Sequence, residues 1–164
     1  MTTETNEDDG SKDRALQDRY AQTNGCFGCG PANAQGLRIK SFVRGDEVVC
    51  EWRAEPHHQA FPGMLSGGIC GTLLDCHSNW TAAWHLMQNS GAETPPCTVT
   101  AEFTVKLEAP TPMDRPLTIR ARVTESTDRR AVIAATLEAD GEITCTCRGV
   151  FIAVREGHPA FNRW

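Results

Sequence analysis

"FPGMLSGGICGTLLDCHSNW", Phe61 to Trp80, is the stretch on which the reading of this chain turns. At about 100° per residue, Ile69, Leu73, Cys76, Trp80 and Trp84 fall on one side of a helix and form an apolar stripe that needs a core. Gly68, Gly71, Asp75, Ser78, Asn79 and Ala82 fall opposite, on a face that is small as well as polar. A face meant only for water would carry Lys, Glu and Arg, which favour helix, whereas each interior glycine costs about 1 kcal/mol relative to alanine. The small face is therefore expected to receive something at close range, with Asp75 in its middle. On spacing alone a merely solvated Asp75 stands as the alternative reading.

Outward from this segment the pattern changes to strands. On the N-terminal side, "LRIKSFV" and "EVVCEWRA" alternate apolar and polar residues around "RGD", which predicts a hairpin of Leu37 to Val43 with Glu47 to Ala54. Before it lie a short helix around Asp13 to Ala21 and the turn-rich "NGCFGCGPANAQGL". "EPHHQAFPG" interrupts the alternation and leads into the helix, expected from Gly67 to Met87 and ended by "QNSGAETPP". On the C-terminal side four alternating segments follow: Cys97 to Ala109, Pro116 to Ser126, Arg130 to Asp140 and Glu142 to Val154. Asp140-Gly141 between the last two is a type I′ hairpin signal. The order β-β-α-β-β-β-β predicts an α+β fold, with an antiparallel sheet curling around one long helix.

With 164 residues, 40% of them hydrophobic, the chain can build one well-buried core. The expected organisation is an acidic, disordered leader over residues 1–15, one domain over 16–156 and a tail over 157–164. The leader has neither the basic start nor the apolar run of a secretory signal, and no apolar segment approaches the roughly 20 residues of a bilayer span. A cytosolic protein without a membrane partner is expected. The net charge of −5, without a basic stripe, argues against a nucleic-acid partner.

The eight cysteines read as reduced thiols packed as small hydrophobes. Cys26 and Cys29 form a CxxC, but a structural zinc site takes four ligands and the only other close pair is Cys145 and Cys147, so no metal is expected. His77 and His85 stand eight apart instead of the four of a helical metal pair, and are expected at the surface. Arg129 and Arg130, at a hairpin turn, read as solvated charges.

Three motifs carry a resemblance. "CFGCGPANAQGLRI" (Cys26 to Ile39), "FPGMLSGGICGTLLD" (Phe61 to Asp75) and "TVTAEFTVKLEAP" (Thr98 to Pro110) are similar, in order and spacing, to segments of the hotdog-fold acyl-CoA thioesterases. The likeness is closest to the branch related to the phenylacetate-pathway thioesterase and spans about residues 24 to 154. It implies hydrolysis of acyl-CoA to free acid and CoA without a cofactor, by a homodimer or dimer of dimers with sites at the subunit interface. Relatives read His-Gly-Gly where this chain reads Ser66-Gly67-Gly68, and carry an acid eight residues after the first of those glycines, here Asp75. The resemblance implies catalytic roles for Asp75, Gly67 and Thr100, and substrate-binding roles for Gln59, Ser66 and Gly68. Gln59 is preferred over His58 for the polar position before the helix, and an ordinary strand threonine would look the same as Thr100. Because Ser66 replaces the histidine, a non-catalytic thioester-binding protein is the alternative. A hydratase on the same fold would need an acid-base pair such as His with Asp, which the sequence does not display. Ser66 also suits the N-cap of a helix starting at Gly67.

The chemistry asks for little. The thiol leaving group has a pKa near that of free cysteine, about 8.5, so its departure needs no strong general acid. The carbonyl oxygen must be stabilised as it gains charge, and water must be deprotonated or replaced by a protein nucleophile. An unpaired amide at the helix N-terminus, with glycine allowing close approach, serves the first need at Gly67. Asp75 serves the second, as general base or through an anhydride. Eight residues at about 1.5 Å rise separate the two by about 12 Å along the axis, too far for one carbonyl. If both act, they must come from different subunits.

Overall fold

Alternating segments on both sides of the helix close into one six-stranded antiparallel sheet. The computed structural model describes residue 10 and residues 13–164, so most of the acidic leader expected over residues 1–15 lies outside the described residues. After a short helix α1 (Leu16–Tyr20) come β1 (Phe42–Arg44) and β2 (Glu47–Trp52), then a 3-10 turn (Pro56–His58) and a small hairpin of β3 (Gln59–Phe61) and β4 (Met64–Leu65). The long helix α2 (Gly67–Ser90) follows, and then β5 (Thr98–Leu107), β6 (Leu117–Ser126), β7 (Arg130–Ala139) and β8 (Glu142–Ala153). The sheet order is β1-β2-β6-β7-β8-β5, all neighbours antiparallel, which leaves β1 and β5 as edges. The long helix and the curved antiparallel sheet around it are the expected α+β architecture. Among the described residues no helix is long and apolar enough to cross a membrane.

The β7–β8 hairpin turns at Asp140 and Gly141, both left-handed (φ 50° and 78°), as a type I′ turn requires. The N-terminal hairpin is shorter than its alternation suggests. Leu37 and Ile39 are buried, but their N–H groups donate to the carbonyls of Phe27 (2.8 Å) and Gly28 (3.0 Å). Arg38 between them has φ 55°, which breaks an extended run. The segment thus binds the CxxC loop, and the strand begins only at Phe42.

Helix α2 packs on β5, β6, β7 and β8. Leu73, Leu74, Trp80 and Leu86 join Ile119, Ile133, Leu137 and Phe151 in the core. Each such side chain contributes about 1.5–3 kcal/mol when fully buried. The helix ends at Gly91, whose φ of 68° is the left-handed cap that glycine adopts without strain.

The two-faced reading of this helix needs correction. Leu73 and Trp80 are buried as expected, while Ile69, Cys76 and Trp84 are only partly so, and from His77 to Ala83 the helix is buried on every side. Ser78, Asn79 and Ala82 therefore do not form an open face. The Thr98 hydroxyl of β5 donates to Asn79 Oδ1 (2.5 Å), so the sheet wraps over this half of the helix, and the small residues there admit the sheet itself. Only the first half, Gly68 to Asp75, keeps an open small face.

His77, expected at the surface, is fully buried. Its Nε2 lies 2.8 Å from the Val48 carbonyl, which can only accept, so Nε2 carries the proton and Nδ1 accepts from the Ser41 hydroxyl (2.8 Å). Gln17 completes the network, donating to Ser41 Oγ (2.9 Å) and accepting from the Ser41 N–H (2.8 Å). Helical periodicity cannot show that the segment before β1 supplies polar partners here. At the far end of the chain, Trp164 stacks on Trp80 with 4.7 Å between ring centroids.

Candidate active site

The open half of α2 and the outer half of β5 bound a cleft of about 360 Å³. The helix supplies Gly67, Gly68, Gly71, Thr72 and Asp75; the strand supplies Phe103, Val105 and Leu107. One wall is thus glycine backbone with Thr72 and a single carboxylate, and the other is apolar.

Asp75 is half-buried, and its Oδ1 accepts a hydrogen bond from Thr100 Oγ1 at 2.6 Å. Thr100 sits beside an irregularity in β5: it pairs with Phe151, whereas Glu102 pairs with Val150, so Ala101 is an extra residue in the ladder. Such bulges re-aim side chains. Burial raises the carboxyl pKa, the Thr100 hydrogen bond pulls it back, Cys26 pushes it up and the Arg163 guanidinium lowers it. The result is a fixed carboxylate with more affinity for a proton than a surface aspartate, as a general base requires.

Gly67 is the first residue of α2, so its N–H has no acceptor within the helix. A Cβ here would stand 3.1 Å from Leu107 Cδ1, so the strand crowds the helix start and glycine keeps the amide accessible. Gly68 is exposed beside it. Ser66 occupies the N-cap position with φ −58° and ψ 131°, but its hydroxyl caps nothing; its carbonyl accepts from the N–H groups of Ile69 and Cys70 (both 3.0 Å).

Gln59 is exposed on β3, opposite Leu65, and is not among the residues lining the cleft. Its neighbour His58 is committed elsewhere: its Nδ1 accepts from the Glu55 N–H (2.9 Å) and its ring lies 5.2 Å from that of Trp52. Within one chain Asp75, Gly67 and Gly68 thus line one cleft at different heights along α2, Thr100 is bonded to Asp75, Ser66 stands at the helix start, and Gln59 lies apart.

Three features were not legible in advance. Arg163, near Asp75, comes from the C-terminal segment, and nothing in its sequence context points to the helix. Phe103 and Leu107 alternate like core residues yet are 41% and 60% exposed, because β5 is an edge strand. Cys76, assigned to the apolar stripe, meets Cys26 and Cys29: the three Sγ atoms lie within 4.8 Å of one another. Helix periodicity places Cys76 on a face but cannot say which loop covers it.

Residues 63–146, just over half of the chain, match the family model of the thioesterase superfamily, and the chain belongs to that superfamily. Among solved structures it is similar to a thioesterase superfamily protein from Shewanella loihica PV-4, at 27% identity and a TM-score of 0.62, covering 76% of this chain and 98% of that one. It also shares the fold of a putative thioesterase, a phenylacetic acid degradation-related protein from Ralstonia eutropha JMP134 (17% identity, TM-score 0.61, 76% of this chain and 91% of that one). Zebrafish thioesterase superfamily member 2 has the same fold (21% identity, TM-score 0.59, 75% and 90% covered). No curated protein matches it in sequence.

Proposed function

We propose that the protein hydrolyses acyl-CoA thioesters in the cleft between α2 and β5, with Asp75 as general base or nucleophile and the Gly67 amide as oxyanion donor. The observation that carries the reading is the Asp75 carboxylate, bonded to Thr100 at 2.6 Å and opening onto a cleft that also holds the start of α2. The apolar side chains of β5 suit the acyl group, and the glycine wall leaves room for the thioester beside backbone. Membership in the thioesterase superfamily supports the reaction class.

The chain works as a homodimer or dimer of dimers on this reading. Helix α2 is regular from Gly67 through Asp75, so the two remain about 12 Å apart along its axis. A second subunit would bring its own Gly67 to the Asp75 of the first. The exposed apolar residues and open edge of the ten-residue β5 offer a surface for that contact.

The test is a panel of aryl-, short-, medium- and long-chain acyl-CoAs, followed by loss of thioester absorbance, since the eight cysteines would react with a thiol dye. Aryl-CoAs belong in it because of the resemblance to the phenylacetate-pathway branch. Turnover of at least one substrate, lowered roughly 10²-fold or more in Asp75→Asn, is the expected result. Tight binding without turnover across the panel would replace the enzyme with a thioester-binding protein.

A further inference from the structure

Directly behind the catalytic helix face lies a group of side chains that thioester hydrolysis does not use. Cys26 and Cys29 come from the loop before β1, and Cys76 is the residue after Asp75 on α2. Cys29 is buried and the other two partly so. Cys26 Sγ and Cys76 Sγ are 3.9 Å apart, and all three sulfurs lie within 4.8 Å of one another. Around a tetrahedral zinc ion with Zn–S bonds of about 2.3 Å, neighbouring sulfurs stand about 3.8 Å apart. A disulfide would need about 2.05 Å, so the observed spacing excludes a bond and leaves room for an ion between the three sulfurs.

The loop is shaped for this approach. A Cβ on Gly28 would fall 2.3 Å from Cys76 Sγ, so only glycine between the two loop cysteines lets the backbone press onto the helix. The Gly30 N–H donates to the Cys26 carbonyl (2.9 Å) and closes a tight turn, in which a Cβ on Gly30 would strike backbone atoms of Asn24 and Cys26 at 2.4 Å. The Trp80 indole N–H donates to Cys29 Sγ at 3.3 Å. An N–H donated to sulfur favours the thiolate form, and such a donor orients a metal ligand.

We propose that Cys26, Cys29 and Cys76 form a three-thiolate site for Zn²⁺, with solvent as the fourth ligand. Binding displaces the thiol protons, so the ion and three thiolates carry a net charge of −1. The ion fastens the CxxC loop to α2 beside Asp75. This site does not depend on the thioesterase reading, and its test does not use activity.

Reduced, metal-free protein is loaded with Zn²⁺, dialysed exhaustively and assayed for metal by mass spectrometry. About one zinc per chain is expected, falling at least tenfold in Cys26→Ser and Cys76→Ser and unchanged in Cys97→Ser, which lies outside the cluster. Cd²⁺ should give a thiolate-to-metal charge-transfer band that the same two variants lose. In case a variant misfolds, wild-type protein is alkylated with and without Zn²⁺: the ion should shield Cys26 and Cys76 and leave Cys97 equally reactive. Wild-type protein that retains no zinc after reduction and shows neither the cadmium band nor shielding overturns the proposal. So does zinc content that survives in folded Cys26→Ser and Cys76→Ser, or a Cys26–Cys29 disulfide that forms while Zn²⁺ is present.

Discussion

Thr100 Oγ1 stands 2.6 Å from Asp75 Oδ1, joining the bulged edge strand β5 to the open half of α2. This bond opposes the burial that raises the Asp75 pKa. Thr100→Val keeps a β-branched residue in the strand and removes only the donor. The Asp75 pKa should then rise further, and the acid limb of the kcat/KM profile should move to higher pH. Turnover should fall roughly tenfold, the scale of one hydrogen bond to a charged group. Thr100→Ser should restore both, and an unmoved acid limb in Thr100→Val would separate the hydroxyl from the reaction.

Asp75→Asn should lower turnover by roughly 10²-fold or more, since on the proposed function it removes the group that takes the proton or attacks. Its effect on stability has the opposite sign. A carboxyl whose folded pKa is raised stabilises the fold while protonated, and that contribution is lost as pH rises through the folded pKa. At pH 7 wild-type protein therefore carries a partly desolvated charge that Asn lacks. Metal-free Asp75→Asn should melt no lower than wild type at pH 7, and its relative advantage should shrink as pH falls through the Asp75 pKa. Thermal melts of both proteins across that range check this.

Why the fold could be read in advance while much of the site could not has a physical basis. Period-two alternation in β6, β7 and β8 records one face on the core, and the Asp140-Gly141 turn sets the first pairs of the last hairpin, beyond which Thr144 is an extra residue that shifts the register. Asp75 was legible because a carboxylate among glycines contradicts helix propensity. The failures share one cause, contact between residues distant in sequence. Ser41 and Gln17 make His77 a core residue; β5 covers Ser78, Asn79 and Ala82; the CxxC loop claims Leu37, Ile39 and Cys76. Periodicity assigns a residue to a face, but which segment covers that face is decided by tertiary packing.

His77 predicts an acid sensitivity of its own. Burial lowers its pKa from 6.5 to about 4, the Val48 carbonyl opposing. A histidine with a depressed folded pKa contributes stability above its unfolded pKa, and that contribution is lost between about pH 6.5 and 4 as the unfolded chain takes up the proton first. The loss approaches about 3 kcal/mol at the low end. Urea unfolding of metal-free protein in this window should give a stability that falls with pH, and His77→Gln, which does not titrate, should flatten the curve while lowering it at pH 7. Parallel curves would show that other groups set the slope.

Gly71 tests why the helix accepts glycine at all. A Cβ there meets nothing within 4 Å in the chain, so Gly71→Ala should stabilise the fold by about 1 kcal/mol through helix propensity alone. The same methyl group narrows the cleft, and kcat/KM should fall. A variant that is both more stable and fully active would mean that substrate does not pass along this face.

The last prediction concerns the distance between Gly67 and Asp75. Gly67 is the first helical residue, where proline is tolerated because its missing N–H has no helical acceptor, and Ser66 already has the extended backbone that precedes proline (φ −58°, ψ 131°). Leu107 Cδ1, 3.1 Å from a Cβ at this position, is the end of a flexible side chain and can give way. Gly67→Pro should therefore fold and lack only the proposed oxyanion donor, with a loss of roughly 10²-fold in kcat. Asp75→Asn lacks only the proposed base or nucleophile. If each site takes Gly67 from one subunit and Asp75 from the other, a mixed dimer of the two variants has one site with both groups intact and one with both broken. Random assembly makes about half of all dimers mixed, so co-expression of two nearly inactive chains should recover about a quarter of wild-type activity. Sites contained within single chains would leave every site defective, and recovery no greater than the sum of the two parents would rule out the shared arrangement.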